Sequence, residues 1–336
     1  MTAFHLSNSA GLFHKKPRIF LLVFMLGMLS GCGQEDTPAN ASQDNINMLS
    51  IAISDQLWNG EVGDSLRKKF AAPVDGLQQE EPSFTIRQFP LKILDAEKAT
   101  ARNIIIIKKE EKNSFKLAKN QFSNPQNIVY ISGNNINEIV AHIESHGDTL
   151  VRRFKETEIR KHQELIAASL LDDQKIVKKF NIRLNIPSDY KYVVDEPNFL
   201  WIKKEILGGN TSILVYRVPF KTLLKNDDIV GNIIEMRDSF GSQYIKGKKK
   251  GTSMITEESY SPYFFNTLLD DKRTYETKGT WELKGDFMSG SFINYAIMDR
   301  KKREFIIIEG FCYAPSTAKR DLMHELESII KSVHFL

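Results

Sequence analysis

Cysteine is scarce in this chain: Cys32 and Cys312 are the only two among 336 residues. Two cysteines cannot build the multi-disulfide framework of small secreted domains. Cys312 lies within the apolar run at residues 305–313, and no histidine is close to it in the sequence to act as a base. We therefore expect Cys312 to be a buried strand residue that packs as a small hydrophobe, and not a catalytic thiol.

Long apolar runs are also missing, since none reaches the roughly 20 residues that a membrane-spanning helix needs. The most apolar segment, residues 19–29, follows the basic sequence Lys-Lys-Pro-Arg at 15–18 and leads into Leu-Ser-Gly-Cys at 29–32. A basic segment, a short apolar segment and small residues before a cysteine are typical of a bacterial lipoprotein signal peptide. The alternative is an ordinary secretory signal followed by a chance cysteine.

A lipoprotein signal predicts that residues 1–31 are removed and that Cys32 carries the lipid. Several acyl chains anchor a protein stably, because each buried CH₂ contributes about 0.8 kcal/mol. Gly33 follows Cys32, so the Asp that retains some lipoproteins in the inner membrane is missing. We expect a lipid anchor in the outer membrane, on its periplasmic face or at the cell surface; the acidic pair Glu35 and Asp36 resembles a surface-export signal.

A strong excess of charge is absent too. Removal of residues 1–31 takes away three of the 46 basic residues and none of the 42 acidic ones, which leaves a nearly neutral protein. Its composition therefore gives no argument for a nucleic-acid partner. The expected partners are the membrane, through the lipid, and a protein or a glycan.

The composition and periodicity along the chain predict an α+β protein with two similar halves, each a mostly antiparallel sheet packed with helices. Residues 32–46 are polar and predict a flexible tether. The predicted halves are residues 47–175 and 176–336. In the first half, strands are predicted at residues 48–53, 84–89, 103–107 and 127–131, with a long helix after Asn135.

The second half shows a similar alternation of strands and helices. Strands are predicted at residues 182–186, 199–202, 212–216, around 254, 275–283, 291–298 and 305–313. Helices are predicted at residues 227–240 and from Ser316, whose hydroxyl would cap the last helix. Both halves end with a buried strand that leads into a helix, and this similarity suggests the two-part organisation.

The chain resembles a known family through motifs in both halves. These are Trp58-Asn-Gly60, Gly63-Asp-Ser-Leu66-Arg67, Glu81-Pro82, Arg102-Asn103, Trp201, Met236-Arg237-Asp238-Ser239, Gly279-Thr-Trp281, Asp286-Phe-Met288 and Tyr313-Ala-Pro315. They are similar to a Bacteroidota lipoprotein family, that of domain of unknown function 4837 (DUF4837). The chain departs from the family pattern at Lys278, Ser289 and Ser291. The resemblance implies a compartment and a lineage, and no activity.

Two groups of residues are candidates for a binding site. Trp58, Arg67 and Glu81 could hold a sugar or a peptide by stacking and hydrogen bonding, or could form a structural turn. Trp281, Asp286, Met288, Trp201 and Arg237 belong to the family-like part of the second half. The segment around Trp281 could be a binding hairpin, or a tight hairpin that packs its aromatic residues into the core.

Other motifs are weaker. His142 and His146 are one helical turn apart beside Glu138, but no further ligand completes a zinc site, so no metal and no cofactor is predicted. The basic loop at residues 246–251 lacks the ending of a phosphate-binding P-loop, and could touch anionic lipid or be a solvated loop.

These observations favour a non-enzymatic envelope lipoprotein that acts as a binding or scaffolding module. The alternative is an envelope hydrolase that acts on glycan or peptide. Its charged residues, such as Glu81, Arg237, Asp238 and Asp286, would then have to converge in three dimensions.

Overall fold

The structure is a computed structural model that describes residues 45–95 and 98–336. The predicted signal peptide, Cys32 and residues 33–44 of the predicted tether lie outside the described residues. Within them, the chain forms two lobes that we name by their sheets: the first lobe is residues 45–167 and the second lobe is residues 168–336.

The first lobe is built on a five-stranded sheet with the order β2-β1-β3-β5-β4. Its strands are β1 (Met48–Ala52), β2 (Thr85–Phe89), β3 (Asn103–Lys109), β4 (Ser114–Lys119) and β5 (Asn127–Gly133). The pairs β1–β2, β1–β3 and β3–β5 are parallel, and only β4 runs antiparallel, against β5. The expectation of a mostly antiparallel sheet is therefore wrong for this half.

The parallel arrangement has a visible cause in the sequence. Parallel neighbours need long crossover connections and are covered on both faces, so their strands are apolar throughout. The run of isoleucines at residues 104–107 shows this pattern, because alternate side chains enter two different apolar clusters. Helices cover one face: α1 (Asp55–Trp58), α2 (Glu61–Phe70) and α3 (Ile136–Ile166).

The predicted start of the long helix α3 is confirmed. Asn135 Oδ1 accepts a hydrogen bond from the Glu138 backbone N–H at 3.0 Å, and Glu138 Oε2 accepts one from the Asn134 N–H at 2.9 Å. This reciprocal arrangement satisfies N–H groups that have no partner inside the helix. Helix α3 then runs for 31 residues and reaches the second lobe.

The second lobe is built on an eight-stranded antiparallel sheet. Its strands are β7 (Lys191–Glu196), β8 (Phe199–Ile206), β9 (Gly209–Pro219), β10 (Ser253–Thr256), β11 (Tyr263–Leu269), β12 (Lys272–Lys284), β13 (Ser289–Asp299) and β14 (Glu304–Tyr313). The order is β10-β12-β13-β14-β9-β8-β7, and β11 also pairs with β12. Strands β6 (Ile182–Arg183) and β15 (His334–Phe335) form a separate antiparallel pair.

The α+β class and the packing of helices on sheets are confirmed, but the two halves are not similar. One sheet is mixed with five strands, and the other is antiparallel with eight. The helices of the second lobe are α4 (Gln174–Phe180), α5 (Phe220–Leu223), α6 (Ile229–Tyr244) and α7 (Arg320–Ile330). Helix α7 covers one face of the large sheet and α6 the other.

Helix α7 begins at Arg320, four residues after the predicted cap at Ser316. The carboxylate of Glu81, in the first lobe, accepts hydrogen bonds from the backbone N–H groups of Lys319 (2.7 Å) and Arg320 (2.9 Å). A carboxylate at this position satisfies free N–H groups and favours the helix dipole. The two lobes are therefore joined by a cap that comes from a distant part of the sequence.

The described residues belong to one compact unit, so the predicted division after residue 175 stays a prediction. Helices α3 and α7 pack on each other across the lobes, and Gln163 donates a hydrogen bond to the Ser328 carbonyl at 3.0 Å. No helix among the described residues is both long and apolar enough to cross a membrane.

Candidate functional site: an interlobe cleft

A cleft of about 800 Å³ opens where the two lobes meet, and we call it the interlobe cleft. One wall is helix α3, with Val151, Lys155 and Ile159, and the opposite side is formed by β11, β12 and helix α7. Most of its other lining side chains are titratable or apolar: Asp75, Leu77, Asp148, Arg152, Glu156, Arg160, Phe265, Glu276, Lys278, Ile293, Arg320, Met323, His324, Glu327 and Lys331.

The strand register places the sheet side chains of this cleft on one face. Phe265 lies opposite Glu276, and Lys278 lies opposite Ile293, so these four lining residues point to the same side. Gly76 closes one end of the cleft. It has φ +80°, and a Cβ at this position would come within 2.9 Å of the Gly279 nitrogen, so the close approach requires a glycine.

The charges of the sheet and of α7 form a paired network. Lys278 Nζ lies 2.9 Å from Glu276 and 3.6 Å from Glu327, and Glu327 also pairs with Lys331 one helical turn away. Burial alone would raise the pKa of Glu327, but the charges of Lys278 and Lys331 outweigh it and hold this pKa well below its usual range. The two lysines and two carboxylates therefore neutralise one another.

Lys155 lies beside this network and takes no part in its ion pairs. Among the described residues no carboxylate oxygen lies within 4.0 Å of its Nζ, although the side chain lines the cleft. Burial, and then the charge of Lys278, lower the pKa of Lys155, and the more distant charges of Glu327 and Asp75 offset only part of this shift. A ligand carboxylate between Lys155 and Lys278 would relieve this repulsion, since an opposite charge favours the charged form of a lysine.

Strand β11 forms an open edge of the sheet beside the cleft. It returns into β12 through Asp270 and Asp271, whose φ values of 47° and 58° are those of a type I′ hairpin turn. In such a hairpin, Leu269 and Lys272 exchange backbone hydrogen bonds, and so does every second residue pair beyond them. The residues in the pairs between have backbone N–H and C=O groups that face away from the partner strand. The backbone groups of Phe264, Asn266 and Leu268 therefore point away from β12, towards solvent.

This edge is unusual because it carries no charged residue over seven positions. Proteins commonly block exposed edges with charges, which prevent pairing with other strands. The other edge strands of more than four residues follow that rule, with Arg87 in β2, Lys116 and Lys119 in β4, and Lys191 and Asp195 in β7. Tyr263, Phe265 and Leu268 in β11 are instead exposed.

Two histidines meet at the contact between α3 and α7. The rings of His162 and His324 stack with centroids 5.3 Å apart, and His162 Nδ1 and His324 Nε2 are buried with no hydrogen-bond partner among the described residues. Burial and the proximity of His162 lower the pKa of His324 to about 4, and burial also lowers the pKa of His162. Both rings are therefore neutral at neutral pH.

Comparison with known proteins assigns family models to both lobes. Residues 169–332 match the model described as Domain of unknown function (DUF4837). The second lobe is similar to the DUF4837 family. Residues 42–167 match a different model, described as Domain of unknown function (DUF8532). The resemblance to DUF4837 is thus confirmed over the second lobe, while the first lobe matches the other family.

No curated protein matches the chain. Among solved structures, the chain is similar to the solution structure of cyanobacterial PsbP (CyanoP) from Synechocystis sp. PCC 6803. The two share 12% identity with a TM-score of 0.32, over 46% of this chain and 87% of that chain. A likeness at this level carries no argument about function.

In the DUF8532-like lobe, the predicted group of Trp58, Arg67 and Glu81 does not form one site. Arg67 stacks over the Trp58 ring at 4.5 Å, donates to the Trp58 carbonyl at 3.3 Å and pairs with Asp64 at 2.7 Å. Glu81 instead caps helix α7. Trp58 and Arg67 thus brace the turn between α1 and α2.

In the DUF4837-like lobe, both predicted tryptophans donate hydrogen bonds inside the large sheet. Trp281 is buried and donates from Nε1 to the Cys312 carbonyl at 3.2 Å, and Trp201 donates to Ser212 Oγ at 3.1 Å. Both rings contact Phe311. The segment around Trp281 is therefore a hairpin that packs its aromatic residue into the core.

The tip of this hairpin holds the other two predicted residues. Asp286 Oδ1 accepts a hydrogen bond from the Phe287 backbone N–H at 2.8 Å, which shapes the turn. Met288 is half-buried and packs against the core of the lobe. Neither residue lines the interlobe cleft.

Arg237 is buried in the second lobe and forms a two-pronged ion pair with Glu309, at 2.8 and 2.7 Å. Asp238 accepts hydrogen bonds from the Thr256 N–H and hydroxyl. The four residues of the hydrolase hypothesis thus occupy three separate places, with Glu81 at the start of α7 and Asp286 at a hairpin tip. None of them lines the cleft.

Two further motifs have structural contacts. His142 hydrogen-bonds Asn113, and His146 stacks on Phe115 at 3.8 Å. Among residues 45–95 and 98–336, no group of three or more His, Cys, Asp or Glu could hold a metal ion.

Cys312 is fully buried in β14, as expected, and burial raises the pKa of its thiol to about 11.

The sequence did not predict the interlobe cleft. Its residues come from segments that lie far apart in the chain, and no local pattern joins them. The two aspartates between the apolar residues 263–269 and the next strand are a hairpin signal that could have revealed β11.

Proposed function

We propose that this protein is a non-enzymatic binding module of the cell envelope whose interlobe cleft receives an extended peptide segment with a carboxylate side chain. The observation that carries this proposal is the open, uncharged edge of β11 beside the unpaired Lys155. An exposed strand edge offers main-chain hydrogen bonds to an incoming strand, and neighbouring pockets select its side chains.

The geometry supports a peptide more than a glycan. The outward N–H and C=O groups of Phe264, Asn266 and Leu268 alternate along β11, and only another peptide backbone presents matching groups at the same spacing. The side chains of such a strand that face the cleft would lie beside Tyr263 and Phe265. One carboxylate among them would approach Lys155.

The proposed location rests on the sequence before residue 45. The Leu-Ser-Gly-Cys box at 29–32 supports a lipid on Cys32, and Gly33 in place of a retaining Asp supports the outer membrane, on its periplasmic face or at the surface. The resemblance to DUF4837 supports a Bacteroidota cell. Growth with a palmitate analogue should label the protein, and Cys32→Ser should lose the label. Persistent labelling of Cys32→Ser would exclude the anchor.

A random peptide library displayed on phage tests the binding function. The chain should enrich peptides that alternate apolar residues and contain Asp or Glu. Asn266→Pro should lose these peptides, because proline removes an outward N–H without touching the pairing with β12. Lys155→Met should weaken them about tenfold or more, the loss expected for one charged hydrogen bond.

Lys68→Met is the matched control, because Lys68 is an exposed lysine on the outer side of α2 with no carboxylate partner among the described residues. It should bind the selected peptides as the unchanged chain does. Peptides that bind Asn266→Pro and Lys155→Met with full affinity would place the binding site elsewhere. A library that yields no peptide would contradict the proposal.

A further inference from the structure

A cluster of lysines lies at a surface of the second lobe that is separate from the interlobe cleft. The loop at residues 246–253 encloses a hollow of about 340 Å³, and the eight residues that line it include Lys246, Lys248, Lys249 and Lys250. None of the described residues that line this hollow is acidic. We call this loop, together with residues 284–288, the basic tip.

The two segments of the basic tip are neighbours in the sheet. Ser253 in β10 pairs with Lys284 at the end of β12, which adds a fifth lysine. The turn that follows stays close, since a Cβ on Gly285 would lie 3.4 Å from Thr252 Cγ2. The hairpin between β12 and β13 therefore projects beside the lysine loop.

Phe287 stands at the end of this hairpin and is fully exposed, with 100% of its surface accessible. Its neighbour Met288 packs into the core and fixes the base of the hairpin. Exposure of an apolar ring to water is unfavourable in free energy, whereas the same ring at the boundary of a bilayer is stabilised by contact with the acyl chains.

The charge of the basic tip is almost uncompensated. Asp286 is the only acidic residue within its two segments, and its Oδ1 already accepts the Phe287 N–H. Lys246 donates to the Ser242 carbonyl, and no carboxylate lies within 4.0 Å of any of the five lysines among the described residues. Five positive charges around one exposed aromatic ring match an anionic lipid surface.

We infer that the basic tip docks on an anionic membrane surface, with its lysines at the headgroup phosphates and Phe287 inserted among the acyl chains. Each lysine near such a surface strengthens binding about fivefold. Replacement of three lysines should therefore weaken docking about a hundredfold. This contact would orient the body on the membrane, and it does not depend on the proposed peptide site.

A fluorescent probe on residue 287 tests the inference in the full chain. The probe is attached through Phe287→Cys in a Cys32→Ser background, because the Cys312 thiol is fully buried. The chain is mixed with phosphatidylcholine vesicles and with vesicles that also contain about one-third phosphatidylglycerol. The Cys32→Ser background removes the predicted lipid, so the emission of the probe reports the environment of residue 287 itself.

Docking predicts a blue-shifted emission that only the phosphatidylglycerol vesicles cause. The shift should disappear when Lys248, Lys249 and Lys250 are all replaced by Gln, and when the salt concentration is raised. Leu207→Cys is the matched control, because Leu207 is 97% exposed at the turn between β8 and β9 with no comparable lysine cluster in that turn. The probe at this position should not respond.

Three results would overturn the inference. Equal emission on both vesicle types would show that charge plays no part, and an equal response at residue 207 would show a non-specific effect. A shift produced by inorganic phosphate without vesicles would show a site for free phosphate instead. The substituted residues are in exposed turns, and an unchanged unfolding temperature of each variant would confirm that the fold is intact.

Discussion

In each lobe, a buried ion pair between arginine and glutamate connects a helix with a sheet strand or the segment next to it. In the first lobe, Arg102 before β3 pairs with Glu158 of α3 at 2.7 Å, and their side chains are 1% and 0% exposed. In the second lobe, Arg237 of α6 pairs with Glu309 of β14 at 2.7 Å, and both are 2% exposed.

The surroundings of the two pairs differ. Glu158 also accepts hydrogen bonds from Asn103 Nδ2 (2.6 Å) and the Asn47 backbone N–H (2.8 Å), and Arg102 donates to the Asn45 carbonyl. This pair therefore holds the backbone where the described chain begins.

Arg237, in contrast, lies over the Phe292 ring at 3.3 Å, and Glu309 accepts from Asn294 Nδ2 at 2.8 Å. The contacts of Arg237 therefore run from its helix to residues of the sheet. The same pair of residue types thus fixes a chain segment in one lobe and a helix in the other. We therefore expect the loss in unfolding free energy on removal of one partner to differ between the two ion pairs.

The largest effect is expected for Glu158→Ala. This substitution leaves the charge of Arg102 buried without its partner. It also removes the acceptor of hydrogen bonds from Asn103 and from the Asn47 backbone N–H. The free energy of unfolding should therefore fall by about 4 to 5 kcal/mol. Urea unfolding measures this value. Glu164→Ala, which removes an exposed pair with Lys161 on the same helix, should cost under about 1 kcal/mol. Equal losses in Glu158→Ala and Glu164→Ala would mean that the buried ion pair stabilises the protein no more than the exposed one.

A somewhat smaller loss, about 3 kcal/mol, is expected for Glu309→Ala. The Arg237 guanidinium keeps the face of Phe292 and the hydroxyl of Thr256, which offset part of its lost charge partner. The paired replacement Arg237→Met with Glu309→Leu should recover most of this loss, because it buries no charge. If the paired variant is less stable than Glu309→Ala, then the charges themselves stabilise this lobe.

The stacked histidines between the lobes predict a dependence on pH. The pKa of His324 is about 4 in the folded protein and near 6.5 when exposed, so the unfolded chain binds a proton first as the pH falls. Stability should therefore drop by about 3 kcal/mol between about pH 6.5 and pH 4, and should stay level above about pH 7.

Denaturant unfolding at several pH values measures this dependence. His324→Phe keeps a ring between α3 and α7 and removes the titration, so the slope of stability against pH should become smaller. In the unchanged chain, protonation of His324 at low pH should weaken the contact between α3 and α7. The two lobes should then unfold in separate transitions, which would allow their stabilities to be compared directly. An unchanged slope in His324→Phe would assign the pH dependence to other groups.

The smallest effect is expected for Arg67→Ala. Arg67 stacks on Trp58 and pairs with Asp64, but its side chain is 39% exposed, and exposed pairs contribute under about 1 kcal/mol. The loss in unfolding free energy should be within that limit. A loss as large as that of Glu309→Ala would mean that burial does not decide the strength of the arginine contacts in this protein.

Local patterns in the sequence predicted much of the fold. The isoleucine run at 104–107 identified a strand, and the segment after Asn135 was correctly predicted as a long helix, α3. These features depend on residues that are neighbours in the chain, so periodicity and capping rules detect them.

The features that needed the structure are contacts between distant residues. Glu81 caps a helix that begins more than 200 residues later, and His162 meets His324 from another lobe. Strand direction in the first sheet depends on how its crossovers pack, which the local pattern does not specify. The cleft and its unpaired Lys155 exist only because the lobes meet, so no segment taken alone could reveal them.

The contacts of Asn45 and Asn47 with the Arg102–Glu158 pair have a mechanical consequence. Any tension transmitted along the chain from its N-terminal side enters the described body at these two residues. A pulling force would meet a buried, charge-assisted clamp before it reached β1, whose parallel neighbours would then resist it in shear. In a force-extension experiment, Glu158→Ala should therefore yield at a lower force than the unchanged chain.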